Sequence, residues 1–217
     1  MSISAYSIRS GLHTQSFSYS TLKYPFKQEI ESILGVNLEE LHLYLGRFEK
    51  FKRSTDQSTL AHKVFYSTFS SSIQPIYDSF IRDIISPIVM TDFYYQVIPT
   101  FRIGLPGNRF VGEYHKDTKY NHQSYEVNFN LGLSNYVGNA SLRTQLCPES
   151  DDYISLECPY GKVFSFDHID CIHGSEINDT NKTMVSFDFR LALRELYVDT
   201  GSCSMNVQTP FKPGAYF

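Results

Sequence analysis

Two histidines and one aspartate could together hold a metal ion. His115 and Asp117 lie two positions apart in a stretch that reads as a strand, and His173 follows much later in the chain. Side chains two apart on a strand project to the same face, so His115 and Asp117 can reach one ion. Two imidazoles and one carboxylate make up the facial triad that binds Fe(II) and leaves positions open for a co-substrate and dioxygen. We therefore predict that His115, Asp117 and His173 are the metal ligands and the catalytic residues.

This prediction depends on the order of the surrounding features, because a His-x-Asp triplet is common by chance. A turn precedes the triplet, a long β pattern follows it, and the second histidine stands before a glycine. The alternative is that His115 is a hydrogen-bonded strand histidine and that Asp117 only begins a turn. His122, His168 and Asp170 are rival ligands, and a three-histidine set would indicate a cupin with different chemistry. Neither extra histidine shows the paired spacing, which favours packing or supporting roles.

The chain before residue 93 is expected to be mainly helical. The first twenty residues show no period and are expected to form a flexible arm or a strap over the body. Apolar residues at helical spacing predict four helices, which begin at Phe26, after Asn37, after Asp56 and at about Gln74. The first ends at Gly35, and Pro75 lies in the first turn of the fourth, where its missing N–H costs little. No linker follows, so these helices are expected to support a sheet.

From Phe93 the sequence period changes from helical to alternating. Strands are predicted at 93–103, 109–115, 124–133, 140–146, 162–166, 170–175 and 183–193. Many short strands separated by turns indicate an antiparallel sandwich or barrel. The predicted fold class is mainly β with N-terminal helices around a jelly-roll, cupin-like core. In such a barrel the second and seventh strands are neighbours, so the three predicted ligands can converge in its mouth.

Length and composition indicate one domain. Of the 217 residues, 1–92 are expected to be a helical support, 93–195 the β core and 196–217 a tail that covers one end. The net charge of −4 and the lack of Lys/Arg runs longer than two residues argue against a nucleic-acid partner. The expected partner is a small-molecule substrate, and the sequence carries no signal for an oligomeric state.

The sequence also bears on the cellular compartment. There is neither a run of about 18 apolar residues nor the apolar segment of a signal peptide, which predicts no membrane partner and a cytoplasmic location. The four cysteines are too widely spaced for a structural zinc site and are expected to be reduced thiols.

Several segments resemble one enzyme family, in the same order along the chain. They are residues 99–108, 111–117, 120–122, 126–129, 160–161, 166–167, 171–174 and 185–190. The resemblance covers about residues 93–193 and is to iron(II)/2-oxoglutarate-dependent oxygenases, most closely to those of streptomycin-type biosynthetic clusters.

The resemblance implies a double-stranded β-helix that holds Fe(II) through His115, Asp117 and His173. 2-Oxoglutarate would chelate the metal through its C1 carboxylate and keto oxygen, and O₂ would take the remaining position. The implied function is that of a dioxygenase, an oxidoreductase that hydroxylates a small molecule of specialised metabolism. Desaturation, cyclisation or epimerisation would use the same site.

One position departs from the family pattern. Relatives usually carry Arg-Val-Ser on the strand after the second histidine, where the arginine binds the far carboxylate of 2-oxoglutarate, but this chain has Met184 there. A methionine cannot pair with a carboxylate, so another cation must do so or the co-substrate differs. The candidates, in order, are Arg190, Arg102 and Arg143, with Ser186 and Asn128 as hydrogen-bond donors. A surface ion pair is the alternative role of each arginine.

Two other functions stay open. A non-haem iron oxidase that does not use 2-oxoglutarate would keep the triad and account for Met184. A non-catalytic, cupin-like binding module would hold no metal at His115, Asp117 and His173.

Overall fold

The fold is mainly β, with helices packed against one of two sheets. The computed structural model describes residues 4–45, 57–109, 112–205 and 208–217. The strands are β1 (Ser16–Ser18), β2 (Phe93–Tyr95), β3 (Thr100–Gly104), β4 (Glu126–Gly132), β5 (Leu142–Gln145), β6 (Tyr153–Leu156), β7 (Lys162–Phe166), β8 (His173–Ser175) and β9 (Met184–Leu193). The larger sheet has the order β1-β7-β4-β9-β2, with β3 also paired to β9, and the smaller has the order β6-β5-β8. The pairings are antiparallel.

Strand β9 gives the larger sheet two different faces. Alternate residues from Val185 to Leu191 are apolar and lie in one buried cluster with residues of the helices. Between them stand Ser186, Asp188 and Arg190, which point to the other face because strand side chains alternate. One face of the sheet is therefore a hydrophobic core, and the other is buried but polar.

The polar face looks toward the smaller sheet. An apolar cluster joins the two sheets, and it contains Phe164, Phe166, Met184, Leu142 and Leu156. The polar residues of β9 share the space between the sheets, which we call the inner space. Buried polar groups need partners, so an inner face of this kind is typical of a ligand site rather than of a core.

The helices cover the apolar face of the larger sheet. They are α1 (Ala5–Leu12), α2 (Phe26–Leu34), α3 (Leu60–Thr68), α4 (Gln74–Phe80) and α5 (Ser86–Val89). The rings of Phe26 and Phe65 lie 5.5 and 5.4 Å from the ring of Phe187, and Phe80 contacts Phe189. These aromatic contacts attach the helices to β9.

The third and fourth predicted helices are one continuous helical stretch from Leu60 to Val89. Two π-helical turns, Phe69–Ile73 and Ile81–Ile85, interrupt the α-helix, and each comes shortly before a proline. Proline lacks an N–H and its ring collides with the preceding turn, which a wider turn relieves. An α-helical segment does begin at Gln74 with Pro75 in its first turn, as predicted, but it continues directly from the π-helical turn instead of forming a separate helix.

The other helix predictions have mixed outcomes. Helix α2 begins at Phe26 as predicted and ends at Gly35, whose φ of 70° suits glycine. Asn37 caps a 3-10 helix, Leu38–Leu43, rather than an α-helix. Thr59 caps α3, and the predicted cap Asp56 lies outside the described residues. The first twenty residues were expected to lack regular structure, but they contain α1 and β1.

Most predicted strands are present, including the break between β2 and β3 near Pro99. The strand predicted at 109–115 is wrong within its described part, where only His115 forms an isolated bridge. Residues 110 and 111 lie outside the described residues. Strands β1 and β6 were not predicted, because Ser16–Ser18 and Tyr153–Leu156 are short and carry little alternation.

The four cysteines are free thiols. Burial raises the pKa of Cys158 and of Cys171 to about 12, so both are unreactive near neutral pH. Within the described residues, no helix combines the length and the apolar character that a membrane crossing requires.

Replacing Phe187 by alanine tests the packing of the helices on β9. Phe187 is fully buried, so Phe187→Ala is expected to lower the free energy of unfolding by about 3–5 kcal/mol, measured by urea titration. Leu22 is 93% exposed, and Leu22→Ala should change this free energy by less than about 0.5 kcal/mol. Equal effects of the two variants would contradict the described packing.

Candidate metal centre

His115 and His173 are brought together by their own backbones. Each donates its N–H to the carbonyl oxygen of the other, at 2.9 Å in both directions. Gly174 makes this approach possible, because a Cβ there would lie 3.0 Å from Cγ and 3.1 Å from Cα of Tyr114. The close approach of Tyr114 therefore explains why a glycine follows His173. The paired backbones direct the two imidazoles to the same side.

Asp117 completes the cluster. Its Oδ1 lies 3.2 Å from Nε2 of His115 and 3.2 Å from Nε2 of His173. Asp117 was predicted to lie on the same strand as His115. It instead begins the 3-10 helix Asp117–Tyr120. Its N–H donates to the carbonyl oxygen of His168 at 2.8 Å, which fixes the start of that helix. The structure thus brings together the three residues that the sequence singles out, through a turn instead of strand alternation.

The hydrogen bonds of the two imidazoles indicate their tautomers. His115 Nδ1 lies 2.6 Å from the carbonyl oxygen of Glu113, and His173 Nδ1 lies 3.2 Å from that of Cys171. A ring that donates its Nδ1–H to a carbonyl carries its lone pair on Nε2 when it is neutral. Both lone pairs then face the carboxylate of Asp117, so three electron-pair donors meet with no hydrogen between them.

A divalent cation fits this donor set. The three ligand atoms lie within 4.8 Å of one another, and no other group of this kind occurs among residues 4–45, 57–109, 112–205 and 208–217. Asp117 and His173 are buried. Two nitrogen donors and one oxygen donor on one side of an ion match the facial arrangement of non-haem Fe(II) sites.

A chain of alternating charges leads away from Asp117 along the inner face. Arg190 Nη2 lies 2.6 Å from Asp117 Oδ2 and 3.5 Å from Asp188 Oδ2. Arg102 Nη2 lies 3.2 Å from the same oxygen of Asp188. The inner space therefore holds the two arginines predicted for co-substrate binding, but each has a carboxylate partner.

These charges stabilise one another. Burial by itself would raise the pKa of Asp117, but the charge of Arg190 holds this pKa well below its usual value. Burial alone would lower the pKa of Arg190, whereas Asp188 and Asp117 raise it above its usual value. Asp117 is therefore a carboxylate and Arg190 a cation at neutral pH.

The remaining predicted co-substrate residues fall into two groups. Ser186 lies on the inner face opposite Arg102, and the side-chain amide of Asn128, when turned so that its nitrogen faces Asp188, donates to Oδ1 at 2.8 Å. Arg143 was a third candidate, but it pairs in register with Gly174 and therefore points away from His173's side of β8. Its guanidinium lies 3.8 Å from Glu176. Arg143 is thus not directed toward the inner space.

The rival histidines do not join the cluster. His122 Nδ1 lies 2.7 Å from Glu126 Oε2, and its ring stacks on Phe211 of the C-terminal segment. His168 is fully buried, and burial lowers its pKa well below the usual value. Its ring is therefore neutral, while its backbone supports Asp117. The rival Asp170 contacts Arg9 of α1 at 2.6 Å.

Sequence reasoning missed two features of the site. Asp188 was not considered, although alternation on β9 places it between Ser186 and Arg190 on one face. Arg9 was also missed, and no local pattern could have found it, because its two carboxylate partners lie more than 150 positions away.

Removing Arg190 should leave Asp117 as an uncompensated buried charge. Arg190→Met is expected to lower the free energy of unfolding of the metal-free protein by about 3–5 kcal/mol at neutral pH, measured by urea titration with a chelator present. The matched control is Arg82→Met, because Arg82 is 69% exposed and its ion pair with Asp83 should contribute less than about 1 kcal/mol. A similar effect of both changes would contradict the described Arg190–Asp117 pair.

Comparison with known proteins agrees with this description of the chain. No family model matches the sequence. The structure is similar to the non-heme monooxygenase ThoJ, with TM-scores of 0.54 for its apo form and 0.51 for its nickel complex. Identity is 13% and 14%, over 91% of this chain and 81% of ThoJ, so this similarity shows the fold alone.

A sequence relative shows the family. The chain is 31% identical over 199 residues to the streptomycin biosynthesis protein StrG of Streptomyces griseus. The alignment covers 92% of this chain and 94% of StrG. The chain therefore belongs to the family of the streptomycin biosynthesis protein StrG.

Proposed function

We propose that this protein is a mononuclear non-haem iron oxygenase that uses 2-oxoglutarate and O₂ to oxidise a small molecule in a biosynthetic pathway. Hydroxylation is the proposed outcome. The observation that carries the proposal is the convergence of Nε2 of His115, Nε2 of His173 and Oδ1 of Asp117, while Nδ1 of each ring faces a backbone carbonyl. The name of the relative StrG, a streptomycin biosynthesis protein, supports the biosynthetic role.

We also propose a double-stranded β-helix as the description of the two facing sheets, within one domain. The larger and smaller antiparallel sheets enclose the inner space, and the triad lies where β8 meets the segment before the 3-10 helix Asp117–Tyr120. A cytoplasmic location and the lack of a nucleic-acid partner stay predictions.

The charges of the inner space suit an iron ion with 2-oxoglutarate. Arg102 and Arg190 contribute two positive charges, which the two negative charges of Asp117 and Asp188 balance. Fe(II) and the doubly charged 2-oxoglutarate anion would neutralise each other, so binding both leaves the buried charge unchanged. Unbalanced charge in a buried site is costly, which makes this balance a supporting observation.

Buried polar atoms without partners also support a polar ligand. Asn130 Oδ1, Thr144 Oγ1 and Arg190 Nε have no hydrogen-bond partner among the described residues. Thr144 lies opposite His173 on β5, and Asn130 lies opposite Asp188 on β4. Native proteins leave few buried polar groups unpaired, and a co-substrate in the inner space would satisfy these.

The residues of the chain would position and shield the reaction. Bound iron, 2-oxoglutarate and O₂ would supply the oxidising chemistry. The backbone carbonyls that accept from the two imidazoles fix their planes, and Arg190 holds the second oxygen of Asp117, which would leave Oδ1 for a bound ion. Tyr120 packs on His115 and Phe166 on His173, at ring distances of 4.7 and 4.8 Å, which limits rotation of both imidazoles.

Arg102 is the residue that we propose for the far carboxylate of 2-oxoglutarate, ahead of Arg190. Arg190 already donates to Asp117, and it lies beside the metal ligands rather than away from them. Arg102 lies one carboxylate further along the charge chain, opposite Ser186. The sequence alone placed Arg190 ahead of Arg102. The order is reversed here because Arg190 already donates a hydrogen bond to Asp117.

An iron oxidase that does not use 2-oxoglutarate is the second candidate. Met184, at the position where relatives carry arginine, is buried in the apolar cluster with Phe164 and Phe166. Arg102 and Arg190 both have carboxylate partners. These observations favour a site that binds iron together with a co-substrate other than 2-oxoglutarate.

Anaerobic titration separates these functions. Fe(II)-loaded protein titrated with 2-oxoglutarate is expected to develop a saturable visible charge-transfer band, which His115→Ala should abolish because it removes one ligand. Iron binding without the band would favour the second candidate. Failure to bind iron would leave a non-catalytic module as the remaining reading and would overturn the proposal.

A pair of arginine variants tests the anchor of the co-substrate. Arg102→Met should raise the dissociation constant of 2-oxoglutarate at least about tenfold, because charge-assisted hydrogen bonds to a carboxylate are lost, and should leave iron affinity unchanged. Arg143→Met is the matched control and should have no effect, since Arg143 faces Glu176 outside the inner space. The same titration measures both, and an unchanged constant in Arg102→Met would show that Arg102 is not the anchor.

A further inference from the structure

We propose that helix α1 is part of the metal centre and that Arg9 is a positioning residue for its ligands. This inference rests on the proposed metal site and adds to it an element distant in sequence. Arg9 touches none of the three ligands, so its effect must pass through the two chain segments that carry them.

Arg9 is a buried cation with three acceptors from two segments. Its side chain is 3% exposed, and its Nε lies 2.9 Å from Asp167 Oδ1 while Nη2 lies 2.6 Å from Asp170 Oδ2. Its Nη1 donates to the carbonyl oxygen of Ser124. The guanidinium thus uses each of its three nitrogens, in the fixed planar geometry that arginine provides.

The first segment that Arg9 holds is the turn of residues 167–171, which we call the carbonyl turn. Asp167 Oδ1 also accepts the N–H groups of Ile169 and Asp170, at 3.2 and 3.0 Å, and so closes this turn. Removal of Arg9 would leave the carboxylate of Asp167, which is 2% exposed, without its cation.

The carbonyl turn in turn supports two of the three ligands. The carbonyl oxygen of His168 accepts the N–H of Asp117 at 2.8 Å. The carbonyl oxygen of Cys171 faces Nδ1 of His173 at 3.2 Å, which directs the Nε2 lone pair toward the metal. A shift of the carbonyl turn would therefore change the position of Asp117 and the orientation of His173.

The second segment that Arg9 holds is the part of the chain that runs from Asp117 to Ser124. Ser124 lies just beyond the 3-10 helix Asp117–Tyr120, so its bond to Arg9 ties the Asp117 segment to the carbonyl turn. His13, at the end of α1, adds a second attachment, because its Nδ1 accepts the N–H of Asp167 at 3.0 Å. Helix α1 thus binds both segments and fixes their relative position, on which the convergence of the three ligands depends.

Metal titration of Arg9 variants tests this role. Arg9→Lys keeps the positive charge but cannot make three fixed bonds, and Arg9→Gln removes the charge. Co(II), a spectroscopic substitute for Fe(II), serves as the probe, with calorimetric titration for affinity and the visible spectrum for ligand geometry. Supporting residues around metal ligands typically affect affinity about 10–100-fold, so both variants should raise the Co(II) dissociation constant about tenfold and alter the spectrum.

Controls separate positioning from a loss of folding. Arg82→Lys, on an exposed arginine, should keep the wild-type affinity and spectrum. Urea titration of each metal-free variant shows the folded fraction. If Arg9→Lys is folded and binds Co(II) as wild type does, Arg9 has a structural role only and the inference is wrong.

A milder variant covers the case in which both Arg9 variants fail to fold. Asp170 is 38% exposed, and Asp170→Asn removes the charge of one partner of Arg9 while keeping the turn. It should raise the Co(II) dissociation constant by about threefold, a smaller effect in line with a single weakened contact. An unchanged constant in folded Asp170→Asn would overturn the inference. Failure of the wild-type protein itself to bind Co(II) would instead overturn the proposed metal site.

Discussion

The constraint on which the rest of the site depends is the burial of three electron-pair donors that face one another. His115, His173 and Asp117 present Nε2, Nε2 and Oδ1 with separations of 3.2 Å from the carboxylate oxygen to each nitrogen. Such an arrangement repels itself unless a cation or a proton lies between the donors. The protein must therefore prevent it from relaxing, and the reciprocal backbone bonds between the two histidines are the most direct means. Gly174 is the sequence feature that allows those bonds to form.

The two faces of the larger sheet have different roles: one packs against the helices, and the other carries the polar residues of the candidate site. On one face, β9 packs Phe187 and Phe189 against aromatic rings of the helices, which provides apolar burial far from the polar residues. On the other, Asp188 and Arg190 continue the charge pattern that starts at Asp117. A rigid scaffold on one side allows the other side to keep buried charges and unpaired polar atoms, as a binding site requires.

The departure from the oxygenase pattern at Met184 has a structural context. Met184 belongs to the apolar cluster that joins the sheets, so an apolar side chain packs at the position where the resemblance leads one to expect an arginine. The inner space keeps its positive charge through Arg102, which enters from β3 and reaches Asp188.

Local spacing was sufficient to predict several elements, whereas the assignment of the three metal ligands stays a prediction. The helical period predicted α2, alternation predicted β4 and β9, and residue type with spacing singled out His115, Asp117 and His173, because each depends on neighbours in the chain. Asp117 nevertheless reaches its place through a turn, which alternation could not foresee. The partners of Arg190 and Arg9 followed only from the tertiary structure, since a guanidinium pairs with whichever carboxylates the register of distant strands and loops brings within reach, and no sequence period encodes that register.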